Sequence, residues 1–479
     1  MKGSISASRV ATLVAGFPRS PAYVGLAEAL VLVIGDGRIP LDTRLPSERE
    51  LTDALDVSRT TVTRAYAVLR ESGYAESRRG SGTFTRVPDG RSRAHDRALL
   101  PRADTAGRTI DLNCAAPSAP PGVARAYADA VAELPAYLGG HGYFPAGLPR
   151  LQQTIAATYG DRGLPTDPQQ IMVTPGALSA VSIVAHALTG PGDRVLVESP
   201  VYPNATAALR RAGARLRPAP VDPDDWDLDT TAALLRQTAP RLAYLIPDFQ
   251  NPTGHLMTDP QREQYAAALR RAHTIPVVDE AHQALSLDGR PMPRPFAAHA
   301  HDAVTIGSAS KSFWGGLRIG WIRAPDGLME RLTHTRVSMD LGAPVLEQLV
   351  LDRLLADSER VLAANRARLG TQRDALVAAV RDRLPDWQFR TPSGGLALWC
   401  RLPEPLATAV TTEAEQHQVV VAPGPVFAPE GGLDRFVRIP WTRPADELAV
   451  AVDVLAEAWS TVRSRPGRGA GTPLRILIA

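Results

Sequence analysis

Lys311 stands in the run Ser308-Ala309-Ser310-Lys311, and Lys2 is the only other lysine in a chain of 479 residues. The remaining 51 of the 53 basic residues (53 minus 2) are arginine. Arginine stays charged, whereas a lysine can lose its proton and attack a carbonyl to form a Schiff base. Lys311 is therefore the candidate nucleophile. Ser308, Ser310 and the downstream Arg318 add two hydroxyls and a guanidinium fork, a set suited to a phosphate dianion. Upstream, Gly176, Ala177 and Leu178 follow an apolar strand and open a helix, where backbone N–H groups bind phosphate. Asn251, in Asn-Pro-Thr-Gly, offers an amide to a phenolate oxygen. Asp279 ends an apolar strand, where a carboxylate can pair with a pyridinium nitrogen. Alone, each feature reads as a turn, a cap or a polar loop. Their order along the chain calls for pyridoxal 5′-phosphate (PLP) held as an aldimine on Lys311, with no metal.

These groups need a scaffold that brings strand ends together. The runs 170–173, 194–197, 242–246, 275–278, 304–306 and 319–322 read as strands, with helical patterns such as 177–188 and 262–272 between them. That alternation predicts a mostly parallel sheet covered by helices. The length calls for more than one domain. Net charge is +3, so the chain is not a polycation. Two cysteines, Cys114 and Cys400, without motif spacing fit a reducing compartment. No signal-peptide pattern or long apolar span is evident, which points to the cytoplasm. We divide the chain into a helical, then strand-like segment 1–86, a polar linker 87–108, a large α/β segment 109–462 and a Gly/Pro/Arg-rich tail 463–479.

In the first segment, 23–34 has helical apolar spacing. Ser47 caps a second helix with Glu50 three residues on, a capping box. Ser58 caps a third helix that stops at Gly73. Two short strands flank Arg78-Arg79-Gly80-Ser81-Gly82. This order describes a winged helix-turn-helix. Arg59, Thr60, Thr61, Thr63 and Arg64 crowd the start of the third helix, where they can reach phosphates and base edges. Arg78 and Arg79 suit a minor groove or phosphates. Residues 1–86 hold twelve Lys/Arg against nine Asp/Glu, a difference of +3, so charge alone does not establish DNA binding.

The stretch LPSERELTDALDVSRTTVTRAYAVLRESGYAESRRGSGTF resembles the GntR-type winged helix. The resemblance implies DNA contacts at Arg49, Ser58, Arg59, Thr60, Thr61, Thr63 and Arg64, with Gly80 and Gly82 shaping the wing. The ordered set from Gly176 to Arg318 resembles fold-type I aminotransferases, which implies a PLP-dependent transferase fold with a smaller C-terminal α+β subdomain. By that resemblance Tyr202, in ESPVYPNA, stacks on the cofactor ring. Arg438, in FVRIPW, grips a substrate or effector carboxylate. Tyr143, in HGYFPAG, reaches the phosphate of a neighbouring subunit. One position departs from the pattern: the family places a tyrosine donor near Asp279, where this chain has Ala281 and His282, and His282 is expected to donate in its place. The two halves together resemble the MocR family of regulators. That implies a head-to-tail homodimer that binds promoter DNA and senses an amino-group effector, or PLP itself. Two other readings stay open: an aminotransferase with an appended DNA-binding domain, and a DNA-binding protein whose large domain only dimerises.

Overall fold

The computed structural model describes residues 4–35, 39, 41–78, 80–86, 88, 109–221 and 225–464. Lys2, Arg79, nearly all of the expected linker and the tail beyond residue 464 lie outside the described residues.

The N-terminal unit holds four helices, α1 (Ala7–Leu13), α2 (Ala22–Gly35), α3 (Glu48–Leu55) and α4 (Arg59–Glu71), then a hairpin of β1 (Ala75–Arg78) and β2 (Gly82–Thr85). The caps sit where the sequence places them. Ser47 and Glu50 form the reciprocal capping box of α3, and the Ser58 hydroxyl accepts from the Thr61 amide at 3.1 Å. Such caps satisfy N–H groups that the helix itself leaves bare. Leu51, Leu55, Val62, Tyr66 and Leu69 close one core with Leu26, Leu30 and Val33 of α2. α1 is an addition that the sequence pattern did not indicate; Ser6 caps it, and Val10 and Leu13 join the same core. Gly80 and Gly82 both adopt positive φ, +73° and +104°. That region is unfavourable for residues with a Cβ.

The larger unit is built on a seven-stranded sheet. Its strands, with the short β3 (Ile110–Asp111) preceding them, are β4 (Ile171–Thr174), β5 (Arg194–Ser199), β6 (Arg215–Pro220), β7 (Leu242–Leu245), β8 (Ile275–Asp279), β9 (Val304–Ser308) and β10 (Gly320–Arg323). The spatial order is β4-β10-β9-β8-β7-β5-β6. All neighbours are parallel except β10, which runs antiparallel to both β4 and β9. Helices such as Ala177–Leu188 and Asp259–Arg271 cover the faces. β4 starts one residue later than expected because Pro168–Gln170 is a 3₁₀ turn boxed by Asp167. The Asp259–Arg271 helix starts earlier than expected because Thr258 and Gln261 form its capping box. A smaller antiparallel sheet follows, β11 (Ala397–Arg401), β14 (Phe436–Pro440) and β13 (Ala422–Pro423) in that order, and β12 (Val419–Val420) pairs with β3. The last helix, Ala445–Ser464, packs its apolar face in the core beside that sheet. Among the described residues no helix is long and apolar enough to cross a membrane.

Candidate cofactor site and nucleic-acid interface

β10 decides where the phosphate-type groups meet. Gly320 pairs with Thr174 on one side and with Ser308 on the other. The loop after β4, the loop before β10 and the end of β9 are thereby brought to one edge. Gly176 has φ +92°, and a Cβ there would lie 2.7 Å from Arg318 Nη2. The guanidinium thus crosses the start of the Ala177–Leu188 helix, where it donates to the Pro175 carbonyl at 3.4 Å. No side chain caps that helix. Its first amides, Ala177 and Leu178 included, and an exposed Arg318 form an anion cradle of the expected kind. Ser308 accepts from the Ser310 amide at 3.2 Å, which leaves its hydroxyl proton to donate.

Beside the cradle, the Lys311 amine donates to the Ala115 carbonyl at 2.9 Å. Burial pushes its pKa down to about 8, and the Arg438 and Arg318 charges push the same way. At pH 7 roughly a tenth of Lys311 is therefore neutral, far more than for an ordinary lysine. Asp279, at the tip of β8, accepts from Tyr244 Oη at 2.6 Å and from the Ala281 amide at 2.9 Å. Burial raises its pKa, and those two hydrogen bonds oppose the rise. Tyr202 opens the helix after β5 and accepts from Asn204 Nδ2 at 2.9 Å; burial raises its phenol to about 12.

Arg438 reaches in from the smaller sheet. It is wholly buried, lies 4.9 Å over the Phe427 ring and donates to Asn251 Oδ1 at 3.2 Å and to the Asn113 carbonyl. Burial lowers its pKa to about 10. Its Nε has no partner, nor have Asn113 Oδ1 and His282 Nε2, although all three are buried. Orphaned buried polar atoms are uncommon in folded proteins, and a bound ligand is one way to complete their bonding. A ring with a phosphate, a ring nitrogen and a polar substituent meets each need, so the residues present fit PLP.

Sequence reasoning missed three contributors. Tyr244 supports Asp279 from the neighbouring strand, and a tyrosine inside an apolar strand was its only trace. Asn113 and Cys114 come from the first turn of the domain, with no motif around them. A thiolate at Cys114 would nonetheless act electrostatically on Lys311, Tyr202 and Arg438.

His282 corrects an expectation. Its Nδ1 lies 3.1 Å from the Phe249 carbonyl, which can only accept. Nδ1 therefore carries the proton. Burial, with the Lys311 charge second, lowers the ring pKa to about 3, so Nε2 is bare. The ring offers an acceptor to the site and not the expected donor. Tyr143 is 58% exposed and stacks on His141. Among the described residues no cluster of His, Cys, Asp or Glu could hold a metal ion.

On the N-terminal unit, Arg59, Thr60, Thr63 and Arg64 share the outer face of α4, opposite buried Val62, Tyr66 and Leu69, and Arg49 of α3 is exposed as well. Glu48 positions this face: Thr63 donates to it at 2.8 Å and Arg59 lies 3.9 Å away. Arg64 rests over the Tyr23 ring at 5.0 Å. Ser58 and Thr61 are engaged in the cap, their hydroxyls 2.8 Å apart. Arg78 differs from expectation: it pairs with Asp42 at 2.6 Å and with Glu76, over the Phe84 ring. A guanidinium held by two carboxylates is a poor phosphate ligand, so the structure does not offer it to DNA.

Comparison with known proteins sorts these two sites. The family model "Aminotransferase class I and II" matches residues 120–455, and "Bacterial regulatory proteins, gntR family" matches residues 22–85. The "Probable rhizopine catabolism regulatory protein MocR" of Rhizobium meliloti is 31% identical over 84% of this chain and 85% of its own. The HTH-type transcriptional regulator YisV of Bacillus subtilis is 28% identical over 82% of this chain and 86% of its own. Among solved structures, LysN, the α-aminoadipate aminotransferase of Thermus thermophilus complexed with N-(5′-phosphopyridoxyl)-L-leucine, superposes with a TM-score of 0.69 at 26% identity, covering 74% of this chain and 93% of that one.

Proposed function

From a chain that belongs to the MocR-type regulators, a gntR-family winged helix joined to a class I and II aminotransferase domain whose cofactor is PLP, we infer a DNA-binding regulator that reads an amino-group metabolite through Lys311. PLP supplies an aldehyde that condenses with amines and a ring that draws electrons from them. The protein groups do the rest. The amine of Lys311, its pKa lowered by burial, would attach the cofactor and could yield its place to an incoming amine. Asp279 keeps a negative charge against the ring nitrogen, steadied by Tyr244 and the Ala281 amide. Tyr202 would stack on the ring. Arg318, Ser308, Ser310 and the amides at Gly176–Leu178 hold the phosphate. Asn251 has its amide oxygen tied to Arg438, so its NH₂ is left to donate to the ring oxygen. Arg438, with a free Nε, takes the effector's carboxylate.

A single observation carries this reading: Arg438 of the smaller sheet reaches Asn251 of the larger one, and the Lys311 amine lies within the field of both Arg438 and Asp279. A ligand bridging Arg438 and Lys311 thus touches both sheets and changes how they sit. The route onward is short. Phe427, beneath Arg438, and Leu433 belong to one apolar cluster against which Tyr202 packs. The Leu433 amide donates to the Gly35 carbonyl at the end of α2, and Arg9 of α1 pairs with Asp227 of the large domain. Regulation then follows if the effector binds one domain arrangement better than another. Leu138, Tyr143, Met339 and Leu341 are exposed apolar side chains of the large domain, and they suit a second copy of the chain that places Tyr143 at its partner's phosphate.

The test is a titration of the PLP-loaded protein with amino acids and simple amines, read by cofactor absorbance and in parallel by affinity for the promoter. The expected result is a compound that shifts both. A compound that shifts absorbance while DNA affinity never changes would remove the sensing role. Retention of the whole Lys311, Asp279 and Arg438 set favours one other reading, an aminotransferase with an attached DNA-binding domain. Sustained turnover of an amino acid with a keto acid distinguishes it.

A further inference from the structure

The described site presents its cofactor with one donor and one acceptor near the Lys311 attachment point. Asn251 gives the donor, because its amide oxygen is already engaged by Arg438. His282 gives the acceptor, because Nδ1 is spent on the Phe249 carbonyl and Nε2 is buried without a partner. Local structure fixes the ring this way. The Glu280 amide donates to the Ile306 carbonyl, the Leu285 amide donates to the His282 carbonyl, and Arg162 holds Glu280 at 2.8 Å. The turn that carries His282 is therefore anchored at both ends. The charged groups facing the ring are Lys311 and Arg438, which oppose its protonation, and Asp248, which favours it; Asp248 is itself engaged by Arg262 at 2.5 Å.

A bare phenolate oxygen can only accept. Against His282 Nε2 it would set two lone pairs face to face, and burial leaves little water to separate them. A hydroxyl satisfies both neighbours, accepting from Asn251 and donating to His282. We propose that His282 is a positioning residue that keeps the cofactor's ring oxygen in its hydroxyl form, so that the proton shared between that oxygen and the Lys311 nitrogen rests on oxygen. With that proton on oxygen, the carbon that Lys311 occupies is less electrophilic, and exchange with an incoming amine is slowed. That is a useful bias for a sensor that holds a ligand rather than turning it over. The proposal rests on PLP attachment at Lys311.

The experiment compares absorption spectra of the PLP-loaded wild type, His282→Tyr and His282→Phe, with cofactor content measured for each. The wild type is expected to show mainly the shorter-wavelength, hydroxyl-type band. His282→Tyr, which restores a donor, is expected to raise the ratio of longer- to shorter-wavelength absorbance several-fold, and His282→Phe to raise it less. A wild type dominated by the longer-wavelength band, or a ratio unmoved in His282→Tyr, overturns the proposal. Should neither variant fold, ¹⁵N NMR of the wild-type imidazole decides: an unprotonated Nε2 that becomes a hydrogen-bond acceptor on loading supports it, and a protonated Nε2 overturns it. If no PLP binds at all, the cofactor reading fails instead, and the two failures are thereby distinguished.

Discussion

The winged helix and the cofactor site are built on opposite principles. In the first, partners lie close along the chain: Ser58 caps three residues ahead, and Thr63 meets Glu48 across 15 positions. In the second, Arg438 donates to the Asn113 carbonyl across 325 positions, and Lys311 to the Ala115 carbonyl across 196. The side chains proposed to face DNA are exposed and engage in weak surface interactions, whereas Asp279, Tyr202, His282 and Arg438 of the cofactor site are wholly or largely buried, and the charges around Lys311 shift one another. The contrast teaches where each site is vulnerable. A surface recognition face weakens in increments as its side chains are truncated one by one. A buried constellation fails as a unit, because each removed partner leaves another polar group unsatisfied.

Changes confined to one region test that separation. Lys311→Ala has the largest expected effect: no borohydride-reducible link between protein and cofactor remains, while effector-free DNA affinity stays near the wild-type value. A persisting covalent link would break the assignment of Lys311. Next, Arg59→Ala combined with Arg64→Ala should lower promoter affinity by roughly 30-fold or more at moderate salt, from about 1–3 kcal/mol for each of the two base-reading side chains. If the two arginines neutralise phosphates instead, the salt slope falls by about 0.9 for each arginine removed. The cofactor spectrum should not move, and unchanged DNA affinity would remove α4 as the recognition helix. Arg438→Gln should weaken a carboxylate effector by about ten- to a hundredfold, since hydrogen bonds to charged groups contribute about 1.5–3 kcal/mol. An equal loss for an amine without a carboxylate would show that Arg438 acts only through packing.

Two smaller effects sharpen the comparison. The folded pKa of Lys311, about 8, lies below the usual lysine value of 10.5. Between those values the unfolded chain binds more protons, so stability rises with pH across that window and levels off above it. Denaturant melts of the PLP-free protein should show this rise, and Lys311→Met should flatten it. Ser58→Ala should cost about 1 kcal/mol through removal of the α4 cap. The destabilisation should appear as local opening of the N-terminal unit in hydrogen exchange, with the large domain unmoved.

Legibility in the sequence followed the same division. Ser47, Glu50, Ser58 and Gly73 are local signals, and they placed α3, α4 and the hairpin to within a few residues. α1 escaped because seven residues with two buried apolar positions are too short to show a period. In the large domain, strands buried on both faces read as apolar runs, so Asp279 was legible as the polar residue at the end of one, and Lys311 as the interior lysine in a chain whose other basic residues are nearly all arginine. Arg78 misled because two arginines beside glycine look free in one dimension, while Asp42, 36 positions away, closes on the first of them. Asn113 and Cys114 left no signal, since nothing in their own neighbourhood requires them to be polar.

What the amino-acid order by itself determined is the set of elements and the chemistry available to them: capped helices, apolar strands, and one interior amine among arginines. These depend on backbone sterics and on partners a few residues away. Tertiary structure alone decided which polar atoms face each other and which are left bare. The insertion of β10 between β4 and β9, the reach of Arg438 from the smaller sheet and the direction of the His282 hydrogen bond all depend on distant segments meeting, and they exist only once the core has closed.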